Sequence, residues 1–217
     1  MRAGIVDACR ASGRAPEETT LIVVTKFHPA SLVAGLSALG VRDVGENRHQ
    51  EAQAKAAELQ DLDLHWHFIG QLQTKKARQA AQYARSIHSI DRDRLVDALS
   101  TAEVAEPIDA FIQVNLTNDP GRGGAAPEAL EPLAEQILGT STLRLRGVMA
   151  VAPLPEEEAA ARAFARLAGY SERLRAIDPE ATAISAGMTH DYAEAIAAGA
   201  THLRIGSAIT GKRPEPR

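Results

Sequence analysis

The feature that most constrains this chain is a beat repeated along it: a short apolar or β-branched run, then a longer segment with helical spacing, then another run. Eight β-like runs can be read, at Thr20–Thr25, Arg42–Gly45, His65–Ile69, Ser86–Ile90, Ile108–Asn115, Leu143–Met149, Thr182–Ser185 and Thr201–Ile205. Between them lie segments rich in Ala, Glu, Leu and Arg, clearest at Pro29–Leu39, Arg48–Leu59, Lys75–Tyr83, Arg92–Val104, Glu128–Leu138, Glu156–Ile177 and Ala193–Ala198. A further helix is expected before the first strand, near Arg2–Ser12. No hairpin signal interrupts the beat. Strands joined through helices run parallel, with right-handed crossovers. Eight such units in 217 residues predict an α/β (β/α)8 barrel with an extra N-terminal helix, as a single domain over residues 1–217. An open Rossmann-like sheet is the alternative, but no G-x-G-x-x-G follows any of the runs.

Composition narrows the function classes. A formal charge of −4 leaves no basic footprint for nucleic acid. The apolar stretches are far too short to span a bilayer. Met1–Asp7 places an acidic residue where a signal peptide would carry its apolar core, so a cytoplasmic protein is expected. The single Cys9 cannot form an internal disulfide and reads as a packed helix residue. No Cys/His cluster has zinc-site spacing, although His65 and His67 share a strand face and are candidates for a metal pair. Gly121–Gly124 and Pro153–Pro155 read as loops after the fifth and sixth strands, and residues 213–217 read as a frayed tail.

In a barrel of this type, chemistry gathers where strands end. The outlets carry Lys26, Glu46 with Asn47, Gly70 with Gln71, Asp91 with Arg92, Asn115, Met149, Ser185 with Gly187, and Arg204 with Gly206 and Ser207. Lys26 closes the first run. Partial desolvation there disfavours the ammonium form, and a neutral amine can form a Schiff base with an aldehyde. The plainer reading is a strand-end lysine that extends to solvent. Asn47 and Ser185 also have a plain reading, as helix caps. Ser185–Thr189 and Ile205–Ile209 combine glycine, hydroxyls and the starts of helical segments, which suits an anion. Closing the barrel makes the first and last strands neighbours, so an amine stands beside a phosphate cradle. A ligand with an aldehyde at one end and a phosphate at the other fits, and pyridoxal 5′-phosphate is the common biological molecule of that description.

The motifs Val23–Lys26, Gly45–Glu51, His65–Gln73, Ile87–Asp91, Leu145–Met149 and Ser185–Gly211 together resemble the pyridoxal-phosphate-binding homeostasis family, whose members look like the barrel domain of alanine racemase standing alone. The resemblance runs from about Leu21 to Arg213. It implies that Lys26 holds the cofactor as an internal aldimine, that Asn47 lies beside the ring, and that Met149 lines the pocket. It implies phosphate contacts at Ser185, Gly187, Gly206 and Ser207, and an Arg204 that faces the pyridine nitrogen. An arginine can only donate to that nitrogen, so the ring stays unprotonated and becomes a weaker electron sink. The plain reading of Arg204 is a surface ion pair. Gln71 and Lys75 depart from the family's usual proline and asparagine, and Thr25, Ser207 and Thr189 exchange one hydroxyl residue for another. Arg122 stands in for a usual lysine, and Thr210 replaces a large aromatic.

Two function classes follow. A carrier would bind pyridoxal phosphate, buffer it and supply candidate partners such as apo pyridoxal-phosphate enzymes. An amino-acid racemase would need a second base, which in related racemases is a tyrosine of a further domain expected to be absent here. Of Tyr83, Tyr170 and Tyr192, only Tyr192 falls near a strand outlet. The carrier is the favoured reading, with a monomer expected and helix faces such as Glu156–Ile177 as the alternative for a dimer. A Schiff-base aldolase or isomerase acting on phosphate esters through Lys26 is a third reading.

Overall fold

Each of the eight runs becomes a strand, and the strands close into one parallel barrel in chain order. They are β1 (Thr20–Val24), β2 (Asp43–Glu46), β3 (His65–Phe68), β4 (Ala84–Ile90), β5 (Ile108–Gln113), β6 (Leu143–Met149), β7 (Ala183–Ser185) and β8 (His202–Ile205). The computed structural model describes residues 1–211, and the expected frayed tail lies outside them. The helices are α1 (Arg2–Ala11), α2 (Ala30–Ala38), α3 (His49–Glu58), α4 (Ala77–Ala80), α5 (Asp93–Ser100), α6 (Leu130–Leu138), α7 (Ala160–Arg175), α8 (Tyr192–Ala197) and α9 (Ser207–Thr210). β1 pairs with β2 on one side and with β8 on the other, which brings Ile22 level with Arg204.

Local chemistry explains where the elements stop. The segment expected as a helix over Lys75–Tyr83 is a short 3-10 turn, Thr74–Lys76, followed by the single turn α4. β4 starts two residues earlier than expected, at Ala84. α5 ends at Ser100 rather than at Val104, where the Ser100 and Thr101 hydroxyls donate to the Asp97 and Ala98 carbonyls. α7 begins at Ala160 instead of Glu156, because the Glu157 carboxylate turns back to accept the Leu154 N–H at 3.0 Å.

The core has two parts of different character. Outside the sheet, the apolar stripes of the helices bury Leu95, Val96, Leu99, Leu130, Ile137, Phe164 and Leu167 against strand residues such as Ile112 and Val148. Burying each such side chain contributes about 1.5–3 kcal/mol, and this layer drives barrel closure. Cys9 is part of it, fully buried on α1. Inside the sheet the filling is different. Barrels of this class usually fill with branched aliphatics. Here His88 stacks on Phe111 at 4.2 Å, and His202 meets Phe111 edge-on at 5.1 Å and His88 at 6.0 Å. These rings come from β4, β5 and β8. β8 is not a sheet neighbour of β4 or β5, so their meeting places them in the lumen. Phe111, Met149 and Ala183 form a small apolar floor beside them.

Among the described residues, no helix is long and apolar enough to cross a membrane.

Candidate functional site

A cavity of about 380 Å³ opens at the strand outlets. This falls within the size range of cofactor sites. Its walls include Lys26 from the end of β1, Asn47 after β2, Ile69 and Gly70 after β3, Arg204 on β8, and Gly206 and Ser207 at the start of α9. Met188, Thr189 and His190 close it from the loop after β7, and His28 and Val151 complete the rim.

The turn that carries Lys26 is anchored from below. Thr25 donates its amide to the Gly45 carbonyl at 3.0 Å and its hydroxyl to Glu46 Oε1 at 2.6 Å. Lys55 reaches up from α3 and donates to the Thr25 carbonyl at 3.0 Å and to Glu46 Oε1 at 2.7 Å. The same carbonyl accepts the His28 amide at 3.1 Å, closing a turn over Lys26 and Phe27. Phe27 at its third position has φ of +68°, which is uncommon outside glycine. Its amide donates to Glu51 Oε2 at 3.2 Å, and Arg48 covers its ring at 4.7 Å. Glu46 and Lys55 are a buried ion pair, with side chains 1% and 8% exposed. The half-buried Lys26 is thus presented by a turn that five neighbouring groups hold rigidly.

Arg204 enters from β8, the strand paired with β1. Its guanidinium is buried, donating through Nη1 to Ser185 Oγ at 2.7 Å and through Nη2 to the Ala150 carbonyl at 2.8 Å. Burial pulls it down to about 10, partly offset by the charge of Asp191. It therefore stays charged at neutral pH. No carboxylate pairs with it among the described residues, so it is not a surface ion pair.

Lys26, Asn47, Arg204, Gly206 and Ser207 all meet on the cavity wall. Ser185 lies one layer deeper, fully buried, where its hydroxyl bonds Arg204 and His88. Gly187 shapes the bend instead of lining the cavity. It has φ of +91°, and a Cβ there would meet the Ala195 Cβ at 2.8 Å and the Tyr192 Cα at 3.1 Å, so its bareness lets α8 pack. Its carbonyl accepts the Arg204 amide at 2.9 Å. Met149 is packed in the lumen with Phe111 and Ala183, and Val151 takes the rim two residues later. Neither Asn47 nor Ser185 caps a helix; Arg48 occupies the N-cap position of α3.

Other candidates resolve differently. Arg122 pairs with Glu157 at 3.0 Å and lies outside the cavity wall. His65 and His67 both bond the Asp43 carboxylate, and no group of three metal-ligating side chains forms among the described residues. Tyr83 bonds His49 at 3.3 Å. Tyr192 turns its hydroxyl toward Gly4 of α1, away from the cavity. Sequence reasoning missed His28 and His190, which had no strand periodicity to mark them. It also missed Lys55 and Glu51, although both lie on α3, the helix that follows the Glu46–Asn47 outlet.

The donor set suits a small molecule with a carbonyl and an anionic group: an amine, a buried cation that only donates, and hydroxyls at Thr189 and Ser207. Asn47 Oδ1 is buried with no hydrogen-bond partner among the described residues, and Asn47 lines the cavity. Such an unmet acceptor costs stability unless a ligand satisfies it.

Residues 8–214 match the family model described as alanine racemase, N-terminal domain. The pyridoxal phosphate homeostasis protein of Pseudomonas aeruginosa is 43% identical over 215 residues, covering 97% of this chain and 92% of the relative. The protein of the same name from Escherichia coli K12 is 39% identical, covering 98% and 94%. The structure of PipY from Synechococcus elongatus with PLP bound superimposes with a TM-score of 0.82 at 34% identity, covering 97% of this chain and all of that one. Alanine racemase from Corynebacterium glutamicum shares the fold at a TM-score of 0.68 and 16% identity, with this chain spanning 61% of it. The barrel, the motifs along it and these near full-length matches agree, and the chain belongs to the alanine racemase N-terminal domain family, in the group of the pyridoxal phosphate homeostasis proteins.

Proposed function

We propose that this protein binds pyridoxal 5′-phosphate through a Schiff base to Lys26 and serves as a carrier or buffer in vitamin B6 homeostasis, without substrate turnover. The observation that carries the reading is the cavity itself, whose wall brings Lys26 at the end of β1 together with the buried Arg204 of the neighbouring β8 and with Gly206 and Ser207 just after it. PipY, a relative covered along its whole length, holds PLP in its own structure. When bound, the cofactor supplies an electrophilic carbonyl carbon and an electron-accepting ring. Lys26 anchors it, and Asn47 offers the unmet Oδ1. Ser207 and Thr189 offer hydroxyls to the phosphate, and Ser185 acts through Arg204. Arg204 can only donate, so it keeps the ring nitrogen unprotonated and the ring a weak electron sink. That favours storage over carbanion chemistry.

The proposal includes a single barrel domain acting in the cytoplasm as a monomer, with apo pyridoxal-phosphate enzymes as candidate recipients. The racemase reading has one observation in its favour, the two histidines His28 and His190 on the cavity wall. Chiral chromatography of alanine and other common amino acids separates the two. Turnover well above free cofactor supports the racemase and overturns the carrier.

The direct test is a visible absorbance spectrum with added pyridoxal phosphate, for the parent and for Lys26→Ala, followed by borohydride reduction and peptide mapping. A band in the parent that is lost in the variant, with the reduced adduct on Lys26, supports the reading. An adduct on another lysine removes the Lys26 assignment. No band in either protein rejects the cofactor and promotes a Schiff-base aldolase, tested next with small phosphorylated aldehydes.

A further inference from the structure

A line of hydrogen bonds runs through the lumen from Arg204 to the opposite end of the barrel. Arg204 Nη1 lies 2.7 Å from Ser185 Oγ, which lies 2.8 Å from His88 Nδ1. His88 Nε2 lies 2.9 Å from Ser86 Oγ, which lies 2.6 Å from His67 Nδ1. His67 Nε2 lies 2.9 Å from Asp43 Oδ1, at the start of β2. His67 Nδ1 and His88 Nε2 also approach each other directly, at 3.1 Å. All four linking side chains are buried, while the Asp43 side chain is 26% exposed.

The two ends restrict which way the protons point. An arginine only donates and a carboxylate only accepts. A neutral imidazole has one donor and one acceptor, and a hydroxyl has one proton to give. With both histidines neutral, one assignment satisfies every link. His67 gives its Nε2 proton to Asp43, so its Nδ1 accepts from Ser86. Ser86 then accepts from His88 Nε2. His88 Nδ1 in turn accepts from Ser185, which accepts from Arg204. Every bond points from the cavity toward Asp43.

We propose that Asp43 is a positioning residue for the cofactor site: through Ser86, Ser185 and the neutral His67 and His88 it sets the polarity of a one-way chain that holds Arg204 with its donors fixed. The chain also ties the buried guanidinium to a carboxylate at its far end, in addition to the charge of Asp191 that partly offsets its burial. Bonds in such a chain polarise one another, so the loss of one end is felt at the other. The surroundings agree. Burial holds His88 well below its ordinary range, and the Arg204 guanidinium pushes it the same way. Burial raises the Asp43 carboxyl, yet the hydrogen bonds from His67 and then His65 help to hold it below the usual value. The effect on the cofactor rests on the function proposed above; the polarity of the chain does not.

The test begins without cofactor. Long-range proton–nitrogen spectra of protein labelled with 15N-histidine, near neutral pH, should show His67 and His88 each neutral with the proton on Nε2. In Asp43→Leu, His67 should lose that single tautomer, and Asp43→Glu should restore it. A His67 imidazolium, or an Nδ1–H tautomer at either ring, overturns the proposal, and this holds on the parent protein even if Asp43→Leu fails to fold. Equilibrium dialysis with pyridoxal phosphate then reads the coupling. Asp43→Leu should bind about fivefold or more weakly, with recovery in Asp43→Glu. Equal affinity in Asp43→Leu, with its tautomers altered, shows that Asp43 does not position Arg204 and overturns the proposal. If the parent binds no pyridoxal phosphate, the cofactor reading fails, and the tautomers alone decide the chain.

Discussion

The buried pair under the Lys26 turn makes a sharp prediction. Lys55→Met removes an ammonium that donates to both Glu46 Oε1 and the Thr25 carbonyl. Glu46 Oε2 is buried with no partner among the described residues, so the carboxylate depends on what reaches Oε1. Without Lys55, only the Thr25 hydroxyl remains there. Leaving one member of a buried pair uncompensated costs about 3–5 kcal/mol. Glu46→Leu alone strands the ammonium and costs a similar amount. The double variant buries no unpaired charge, so its loss should fall short of the sum of the two singles by about 2–3 kcal/mol. Urea titration followed by circular dichroism and by fluorescence of the single Trp66, which is buried beside Val44, reads all three variants. A Lys55→Met loss under about 1 kcal/mol, or strictly additive singles, would refute the claim that this pair anchors the turn.

Three further outcomes are expected. Burial, with smaller contributions from the charges of Arg146 and Arg204, lowers His202 to about 4 against an ordinary 6.5, and the charge of Asp43 opposes this in part. The unfolded chain therefore takes up a proton first as pH falls, and stability present above pH 6.5 should be lost by about 2–3 kcal/mol on the way down to pH 4. His202→Asn should flatten that slope in thermal melts; an unchanged slope counts against the assignment. Gly147→Ala should cost about 3 kcal/mol or more, because a Cβ would stand 1.8 Å from the Ala183 carbonyl oxygen where β6 meets β7, and denaturant unfolding of a soluble variant with parental stability would disprove it. Ser207→Ala should weaken retention of pyridoxal phosphate by about 1–2 kcal/mol through a lost charge-assisted bond; unchanged equilibrium dialysis would remove Ser207 from the phosphate site.

How far the sequence could be read depended on whether a pattern was local. The eight-fold beat depends on hydrophobic periodicity and crossover handedness, both written within single segments. It located every strand to within about two residues and put Lys26, Asn47, Arg204, Gly206 and Ser207 at one end of the barrel. The helix ends at α4, α5 and α7 were less legible, because hydroxyls and carboxylates that bond the backbone set them.

What the lumen holds was decided only by the tertiary structure. His88 and Ser86 read as ordinary strand residues, Ser185 read as a phosphate contact or a helix cap, and the alternation of His65 and His67 suggested only a candidate metal pair. A register shift between β3 and β4 settles it: Trp66 lies opposite Ala84, but His67 lies opposite Ser86, so one extra residue, Arg85, is left between. Without that shift His67 would face Arg85. A side chain's face alternates with every residue, so a slip of one exchanges a serine for an arginine. Ser185 likewise sits in the layer below the cavity because β7 and β8 stagger around the barrel, bringing it level with His202 and beneath Arg204. Periodicity within a segment determines that a strand exists and which residues share its face. Only closure of the sheet, which sets the stagger between strands distant in sequence, determines which of those faces meet.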